Sequence, residues 1–362
     1  MNIENHLYRD HPVLRIQRHL DNAGISYLNS INGTSPESLM LRIQKLSPLA
    51  RYLSSPAKIA SIGVGQGEEI EALHELFGGK VQIIGIDVSK VALKASLDRS
   101  QMSQFMFDPI LADASNLPLP SHSIDGLVIS SVLHEVYSYS IDGIASWKQS
   151  IREVTRVLAE DGIFLLRDPA APDMKEPVIL RCLSDFSRSF YDYFREEFRF
   201  FRGWNGNSGY HFTERQANNE DYPQLNVSSE TMLEFSQAAE VMLHFRNFWN
   251  DFRRNTVSFG DIHWKEINES YLVPNPNSTG GVMSIEEYVK AIFYEADQVL
   301  GDNNRLICLQ YGKLTAPETN TFLAKHFTLN NEDDKNNSRL PSDNLLSQIT
   351  NKLELVFKKV NV

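Results

Sequence analysis

The sequence predicts an α/β fold in which a mostly parallel sheet carries helices on both faces. Strand-like apolar runs alternate with helical patterns between residues 58 and 168, which is typical of such a sheet. A glycine-rich turn, IGVGQG, follows the first apolar run, and an aspartate ends the second. Ligands of open α/β sheets bind at the carboxyl ends of the strands, so these two features also locate a candidate site.

The elements follow one another in a regular order. Residues 1–55 are predicted to form an N-terminal helical cap, because Leu and Ile recur at helical spacing in HPVLRIQRHL and SPESLMLRIQKL. The five predicted strands are KIASIGV, VQIIGID, FMFDPILAD, SIDGLVIS and IFLLRDP. Helices are predicted over EEIEALHELFGG, SKVALKASLDRS and SWKQSIREVTRVLAEDG, the last one ending at Gly162. Residues 56–170 are therefore predicted to be the core domain.

The remainder of the chain departs from this alternation. Residues 171–282 are rich in aromatic residues and are predicted to form a helical insert, through DFSRSFYDYFREEFRFFRGW and SSETMLEFSQAAEVMLHFRNFWNDFRR. Residues 283–362 are predicted to complete the sheet through RLICLQYGKL and KLELVFKKV, with a flexible loop near 329–345.

The bulk composition is typical of a soluble cytoplasmic protein. The 362 residues are 42% hydrophobic and 22% charged, and their net charge of −11 argues against a general electrostatic attraction to nucleic acid or to an anionic membrane. No apolar run approaches the roughly 20 residues of a membrane span. MNIENHLYRDHP lacks the apolar core of a secretory signal, and Cys182 and Cys308 have no disulfide-framework or zinc-site spacing.

Three ligands compete for the glycine turn. A phosphate-binding loop would need a lysine that the turn lacks. A dinucleotide motif, GxGxxG, would place its third glycine at position 68, which is a glutamate. Glu68 and Glu69 suit the positive end of a helix dipole but would repel a pyrophosphate there. A cationic adenosine compound without phosphate, S-adenosylmethionine, fits these residues better.

Four ordered segments then resemble a known family. IGVGQG, IGIDVS, ADASNLPLPSHSIDGLVISSVLHEV and REVTRVLAEDGIFLLRDP resemble the motifs of class I S-adenosylmethionine-dependent methyltransferases, over roughly residues 56–170. The resemblance implies a Rossmann-like fold with a mostly parallel seven-stranded sheet. It also implies S-adenosylmethionine as the cofactor.

The resemblance implies a set of cofactor-binding residues. The glycine turn would line the methionine part of the cofactor, a strand-end acid would bind the ribose, a third-strand pair would contact adenine, and a fourth-strand serine would meet the amino group. In that order these residues are Gly63, Val64, Gly65, Gln66 and Gly67; Asp87 and Val88; Asp113 and Ala114; and Ser130. The family usually has an acid two residues before the first glycine, where this chain has Ser61, and Glu68 or Glu69 are the candidates to replace it.

Candidate catalytic residues follow the fourth strand. His134 has the pKa range of a general base, and Glu135 adjoins it. The alternative for His134 is a histidine that bonds to the backbone at a helix start. His211 and His263 in the insert are weaker candidates. No metal site is predicted, because Asp168 and Asp173 are interpreted as acids of a solvated loop.

The predicted function is methyl transfer to the O, N or C atom of a small organic acceptor, by in-line displacement under a helical lid. The acceptor is expected to be apolar or acidic, since the insert combines aromatic residues with arginines. One alternative is an RNA or protein methyltransferase, although residues 181–270 carry ten basic against fourteen acidic residues. Another is a non-catalytic scaffold or sensor that binds S-adenosylmethionine. No partner membrane is expected.

Overall fold

The computed structural model describes residues 36–140, 142–171, 176–198, 200, 213–215, 229–253, 269–276, 282–314, 317–331, 343–349 and 352–361. The chain divides into two compact units. The first unit comprises Met1–Asp168, Val289–Gly312 and Leu353–Val362, and the second comprises Pro169–Tyr288 and Lys313–Lys352.

The secondary-structure elements are numbered here in chain order. The first ten are α1 (Pro36–Tyr52), β1 (Ala57–Ile62), α2 (Glu68–Leu76), β2 (Val81–Asp87), α3 (Lys90–Ser103), β3 (Asp108–Leu111), β4 (Ile124–Ser130), α4 (Leu133–Tyr139), α5 (Gly143–Val157) and β5 (Leu158–Pro169). The others are β6 (Pro177–Cys182), α6 (Asp185–Glu197), β7 (Thr213–Arg215), β8 (Ser229–Glu234), α7 (Phe235–Arg253), α8 (Ile285–Asp297), β9 (Asn304–Leu314), α9 (Pro317–Leu323), β10 (Phe327–Asn331), α10 (Asp343–Ile349) and β11 (Lys352–Asn361).

The first unit is built on a seven-stranded sheet of order β3-β2-β1-β4-β5-β11-β9. The five strands from β3 to β5 pair in parallel, which confirms the predicted α/β fold with a mostly parallel seven-stranded sheet. The chain moves from β1 outward to β3 and then returns to place β4 on the other side of β1. This reversal of strand order creates a crevice at the carboxyl ends of β1 and β4, where ligands of such sheets bind.

The core of this unit explains why the apolar runs become strands. Alternate side chains of neighbouring strands lie on one face of the sheet, and helices α1 and α2 pack against that face. The packed set includes Ile59 of β1, Val128 of β4, Ile163 and Leu165 of β5, Leu46 and Leu49 of α1, and Ile70 and Leu73 of α2. Helix α3 begins after Ser89, whose hydroxyl oxygen accepts a hydrogen bond from the Ala92 backbone N–H at 3.2 Å.

One boundary differs from the sequence prediction. Helix α5 ends at Val157 rather than at Gly162, because Leu158 already pairs with Ile124 as the first residue of β5. The ladder then shifts register between Ile124 and Gly126, and the chain turns through Asp161 at a φ of 61° before β5 continues. The residues LAEDG therefore belong to an irregular strand start and not to the helix.

The second unit contains a sheet that the sequence analysis did not predict. Strands β10, β6, β8 and β7 pair antiparallel in that order, so the segment 171–282 is not purely helical. SETMLE, which was predicted as part of a helix, forms β8, and helix α7 begins only at Phe235. Helix α6 starts with a capping box in which Ser184 and Ser187 bond reciprocally, and it ends at Glu197.

Aromatic side chains of helices α6 and α7 form the core of the second unit. Phe190, Phe194 and Phe245 are completely buried, and the Phe190 and Phe245 rings meet edge to face with centroids 5.2 Å apart. Packing thus accounts for these aromatic residues of the insert. The predicted residues Asp173, Trp204, His211 and His263 lie outside the described residues, as do residues 1–35 and most of the predicted flexible loop.

Across the described ranges, none of the helices has both the length and the apolar character needed to cross a membrane.

Candidate functional site

The glycine turn joins β1 to α2 and places its three glycines in a left-handed conformation. Gly63, Gly65 and Gly67 have φ values of 76°, 52° and 81°. A Cβ on Gly63 would lie 2.2 Å from Cγ2 of Val132, and one on Gly67 would lie 3.0 Å from Cα of Ser96. A Cβ on Gly65 would meet nothing within 4 Å. The outer two glycines are therefore required by packing, and the middle one borders open space.

The backbone N–H groups of this turn are already hydrogen-bonded to the protein. Gly63 and Val64 donate to the carbonyl of Ile86 at 2.8 and 3.3 Å, and Gly67 donates to the carbonyl of Val64 at 2.9 Å. Gly65 donates to Oδ2 of Asp87 at 3.0 Å. A phosphate cradle needs such N–H groups directed at the ligand. The turn is therefore suited to a ligand that approaches its surface without phosphate.

Asp87 ends β2 and faces the glycine turn. Its second oxygen, Oδ1, accepts a hydrogen bond from the Ser89 N–H at 2.8 Å, so two backbone donors hold the carboxyl group in place. Burial raises the pKa of Asp87 to about 6, and the carboxylate of Glu135 adds to the rise. Each carboxylate oxygen keeps a second lone pair, which is the acceptor pattern that ribose hydroxyls would use.

The end of β3 lies beside Asp87. The Ala112 N–H donates to the carbonyl of Asp87 at 3.0 Å, which brings Asp113 and the buried Ala114 to the same edge of the sheet. Oδ1 of Asp113 accepts from both the N–H and the hydroxyl of Ser115 at 2.7 Å. Asp113 thus stabilises its own turn, and this turn presents Ala114 next to the β2 end.

The other predicted turn residues surround the same crevice. Val64 is buried at 4% exposure, and Val88 is partly buried after the β2 end. The side-chain amide nitrogen of Gln66 is buried and has no hydrogen-bond acceptor among the described residues. Ser130 ends β4 and is partly buried. Because Val132 contacts Gly63, the β4 end and the glycine turn form opposite sides of one crevice.

His134 lies in the first turn of α4 and pairs with a buried acid. Its Nδ1 is 2.7 Å from Oδ1 of Asp168, and its backbone N–H donates to Oδ2 of the same residue at 3.0 Å. Asp168 is fully buried at the end of β5, so its interpretation as a solvated loop acid was wrong. The carboxylate orients the ring and favours the tautomer with Nε2 as the basic nitrogen. Glu135, the neighbouring candidate, is partly buried.

Two glutamates after the turn have different partners. Glu68 forms an ion pair with Arg42 of α1, and Arg99 of α3 lies 3.8 Å away from it. Its charge is therefore offset, which weakens the expected repulsion of a pyrophosphate by Glu68. Glu69 instead accepts a 2.5 Å hydrogen bond from the hydroxyl of Ser61, and burial raises the pKa of Glu69.

Sequence reasoning missed two features of this region. Asp168 ends an apolar run exactly as Asp87 does, and that repeated pattern was the signal that could have identified it. Arg167 precedes it and is 6% exposed, with Nε and Nη1 lacking hydrogen-bond acceptors in the described part of the chain. A single arginine within an apolar run gives no sign in sequence of where its side chain points.

Comparison with known proteins gives a family for this region. Residues 60–166 match the model described as "Methyltransferase domain". No curated protein matches the chain.

Solved structures with a similar arrangement include three examples. The PH0226 protein of Pyrococcus horikoshii has 22% identity and a TM-score of 0.31, covering 37% of this chain and 59% of that one, so the chain spans about three fifths of it. A putative sarcosine dimethylglycine methyltransferase of Galdieria sulphuraria has 13% identity, a TM-score of 0.42 and coverage of 89% and 86%. A SAM-dependent methyltransferase of Methanosarcina mazei has 12% identity, a TM-score of 0.41 and coverage of 86% and 97%.

Proposed function

Residues 60–166 are a class I S-adenosylmethionine-dependent methyltransferase domain, and from that premise we propose that this chain methylates a small organic acceptor at an O, N or C atom. S-adenosylmethionine is the cofactor of this domain, and when bound it supplies an electrophilic methyl group carried on a sulfonium. The observation that carries the proposal is the closed hydrogen bonding of the glycine turn. Its N–H groups at 63, 64, 65 and 67 are bonded within the protein, and one of them is bonded to a carboxylate.

The cofactor residues divide the work along the crevice. Asp87 holds two hydroxyl donors through its remaining lone pairs, while Gly65 lets the ligand approach the backbone. The turn that carries Asp113 and Ala114 borders the same edge as Asp87, and Ser130 borders the glycine turn through Val132. This arrangement supports adenosine at the β2 and β3 ends and the methionine part between the β1 and β4 ends.

The chemistry asks two things of the protein. It must align the acceptor atom with the methyl carbon and the sulfur, a positioning effect that can lower the barrier by several kcal/mol. For an acceptor that loses a proton early, such as a hydroxyl, it must also supply a base. We assign that role to Nε2 of His134, because Asp168 holds Nδ1 at 2.7 Å and stabilises the protonated ring.

The finer parts of the proposal come from the sequence. Residues 171–282 are proposed as the acceptor-specificity region, with a lid function, and the negative net charge of 181–270 supports a small acceptor over RNA. A cytoplasmic location remains a prediction of the sequence.

Transfer of a labelled methyl group tests the proposal. The purified chain is incubated with methyl-labelled S-adenosylmethionine and a cell extract, and label is counted in the small-molecule, RNA and protein fractions. We expect label in the small-molecule fraction, and none when His134→Gln replaces the wild type. His74→Gln, a substitution on α2 outside the crevice, is the matched control. Label confined to RNA or protein would replace the acceptor class, and tight cofactor binding with no label would indicate a scaffold.

A further inference from the structure

Arg167 is a buried cation whose donors are incompletely used. Its side chain lies at the carboxyl end of β5 with 6% exposure, and Nε and Nη1 have no hydrogen-bond acceptor among the described residues. The carboxylate of Glu354 lies 3.5 Å from Nε, at the limit of hydrogen bonding. Burial lowers the pKa of Arg167. Each unsatisfied buried donor costs about 1–3 kcal/mol, so an acceptor that reached this group would gain strongly.

Arg167 lies on the face of the sheet that leads to the glycine turn. Ser61 pairs with Val128, Val128 pairs with Leu165, and Arg167 is two residues beyond Leu165. Side chains alternate between faces along a strand, so those of Ser61, Leu165 and Arg167 share one face. Helices α1 and α2 cover this face further down. Arg167 therefore borders the crevice at its β1 and β4 ends.

Glu69 supplies the opposite charge at the same place. The hydroxyl of Ser61 donates to its carboxylate at 2.5 Å. Burial raises the pKa of Glu69, whereas the charges of Arg42, Arg167 and Lys45 counter that rise. Arg167 and Glu69 are thus close enough to influence each other. The family acid of β1 is a serine in this chain, and this serine orients an acid from α2.

The charges around the pair balance one another. The cations are Arg42, Lys45 and Arg167, and the acids are Glu68, Glu69 and Glu354. A lone anion would face the acids, and a lone cation would face the arginines and the lysine. A ligand end that carries both charges would satisfy the unused N–H groups and the buried carboxylate together.

Resting on the proposed function, we propose that Arg167 binds the α-carboxylate of S-adenosylmethionine and that Glu69, oriented by Ser61, binds its α-ammonium group. The glycine turn then supplies shape, and these two side chains supply the charge recognition of the amino-acid end. The relocated acid compensates for the absence of an acid at position 61.

Three ligands separate this role from a structural one. Calorimetry is performed with S-adenosylmethionine, with its decarboxylated form, and with 5′-methylthioadenosine, which lacks the whole amino-acid end. Arg167→Met and Glu69→Gln are each expected to weaken S-adenosylmethionine about 10- to 100-fold, as for a lost charged hydrogen bond, and to leave 5′-methylthioadenosine within about threefold. Arg152→Met and Glu71→Gln remove comparable ion-pair partners outside the proposed contacts and should change neither ligand.

The decarboxylated ligand tests Arg167 even if Arg167→Met fails to fold. Wild type should prefer S-adenosylmethionine over the decarboxylated form, and Arg167→Lys should reduce that preference. Equal affinity of wild type for the two forms would overturn the carboxylate assignment. An unchanged affinity ratio of S-adenosylmethionine to 5′-methylthioadenosine in Glu69→Gln would overturn the ammonium assignment. Failure of wild type to bind any of the three ligands would overturn the proposed function itself, and this inference with it.

Discussion

Asp87 is the residue at which burial and ligand binding meet. Its carboxyl group is held by the N–H groups of Gly65 and Ser89, yet burial still raises its pKa to about 6. Because the folded pKa lies above the ordinary value, the folded chain binds the proton more tightly, and this group lowers stability as pH rises from about 4 to 6. A site residue is here retained in an environment that disfavours its charge, which is common where a ligand requires that charge.

Cofactor affinity should depend on pH through this residue. The ionised carboxylate accepts both ribose hydroxyls, so affinity for S-adenosylmethionine should fall about tenfold for each pH unit below 6. Calorimetry between pH 5 and 8 measures this profile. Asp87→Asn cannot ionise and should bind weakly with a flat profile over the same range. An identical slope in wild type and Asp87→Asn would assign the pH dependence to another group.

The His134–Asp168 pair gives a prediction about turnover. Asp168→Asn leaves the shape of the residue but removes the charge that stabilises a protonated ring, so kcat should fall about 10²- to 10⁴-fold for a hydroxyl acceptor. His134→Gln should lose a similar factor, and neither variant should change cofactor affinity greatly. If both variants keep full kcat once the acceptor is known, His134 is a structural residue at a helix start.

At the scale of elements, the glycine turn separates packing from binding. Gly63→Ala would bring a methyl group into Val132 and add left-handed strain, so it should lower the free energy of unfolding by several kcal/mol. Gly65→Ala adds only the strain, about 1–2 kcal/mol, because no protein atom lies near its methyl group. Its main effect should be weaker cofactor binding.

Urea unfolding and calorimetry on the two alanine variants distinguish these effects. The expected order is a larger stability loss for Gly63→Ala and a larger affinity loss relative to stability loss for Gly65→Ala. Unimpaired cofactor binding by Gly65→Ala would mean that the open side of the turn does not face the ligand.

Sequence predicted the elements whose signals are local and strong. The runs before Gly63 and at VQIIGID are bounded by glycine, a helix cap or an acid, and the structure places them as β1 and β2. SETMLE was misassigned because six residues of mixed polarity lead into helix α7 without a breaking residue, and only pairing with β6 makes them a strand. Likewise, the burial of Asp168 depends on His134, which is 34 residues away and invisible to a local pattern.

At the scale of the whole molecule, each compact unit has its own core. The second unit surrounds Phe245, and its strands β6, β8 and β10 are linked by a buried network in which Arg181 donates to Glu230 at 2.8 Å and to Asn330 at 2.6 Å. Such a charged network holds three strands in register only while all its partners remain, since one unpaired buried charge is costly.

Separate cores predict separable effects on thermal unfolding. Phe245→Ala should destabilise the second unit by about 3–5 kcal/mol. S-adenosylmethionine should stabilise the first unit in proportion to its occupancy. Scanning calorimetry of wild type and variant, with and without the cofactor, should show each change in its own transition. A single transition that responds equally to both changes would show that the chain unfolds as one cooperative body.

The central claim is that the β1–α2 turn and Asp87 bind an adenosine compound without phosphate. The most direct measurement is calorimetric titration of wild type and Asp87→Ala with S-adenosylmethionine and, separately, with NAD. The account predicts that wild type binds S-adenosylmethionine, that Asp87→Ala binds it at least about tenfold more weakly, and that neither binds NAD. Binding of NAD by a wild-type chain that does not bind S-adenosylmethionine would contradict it.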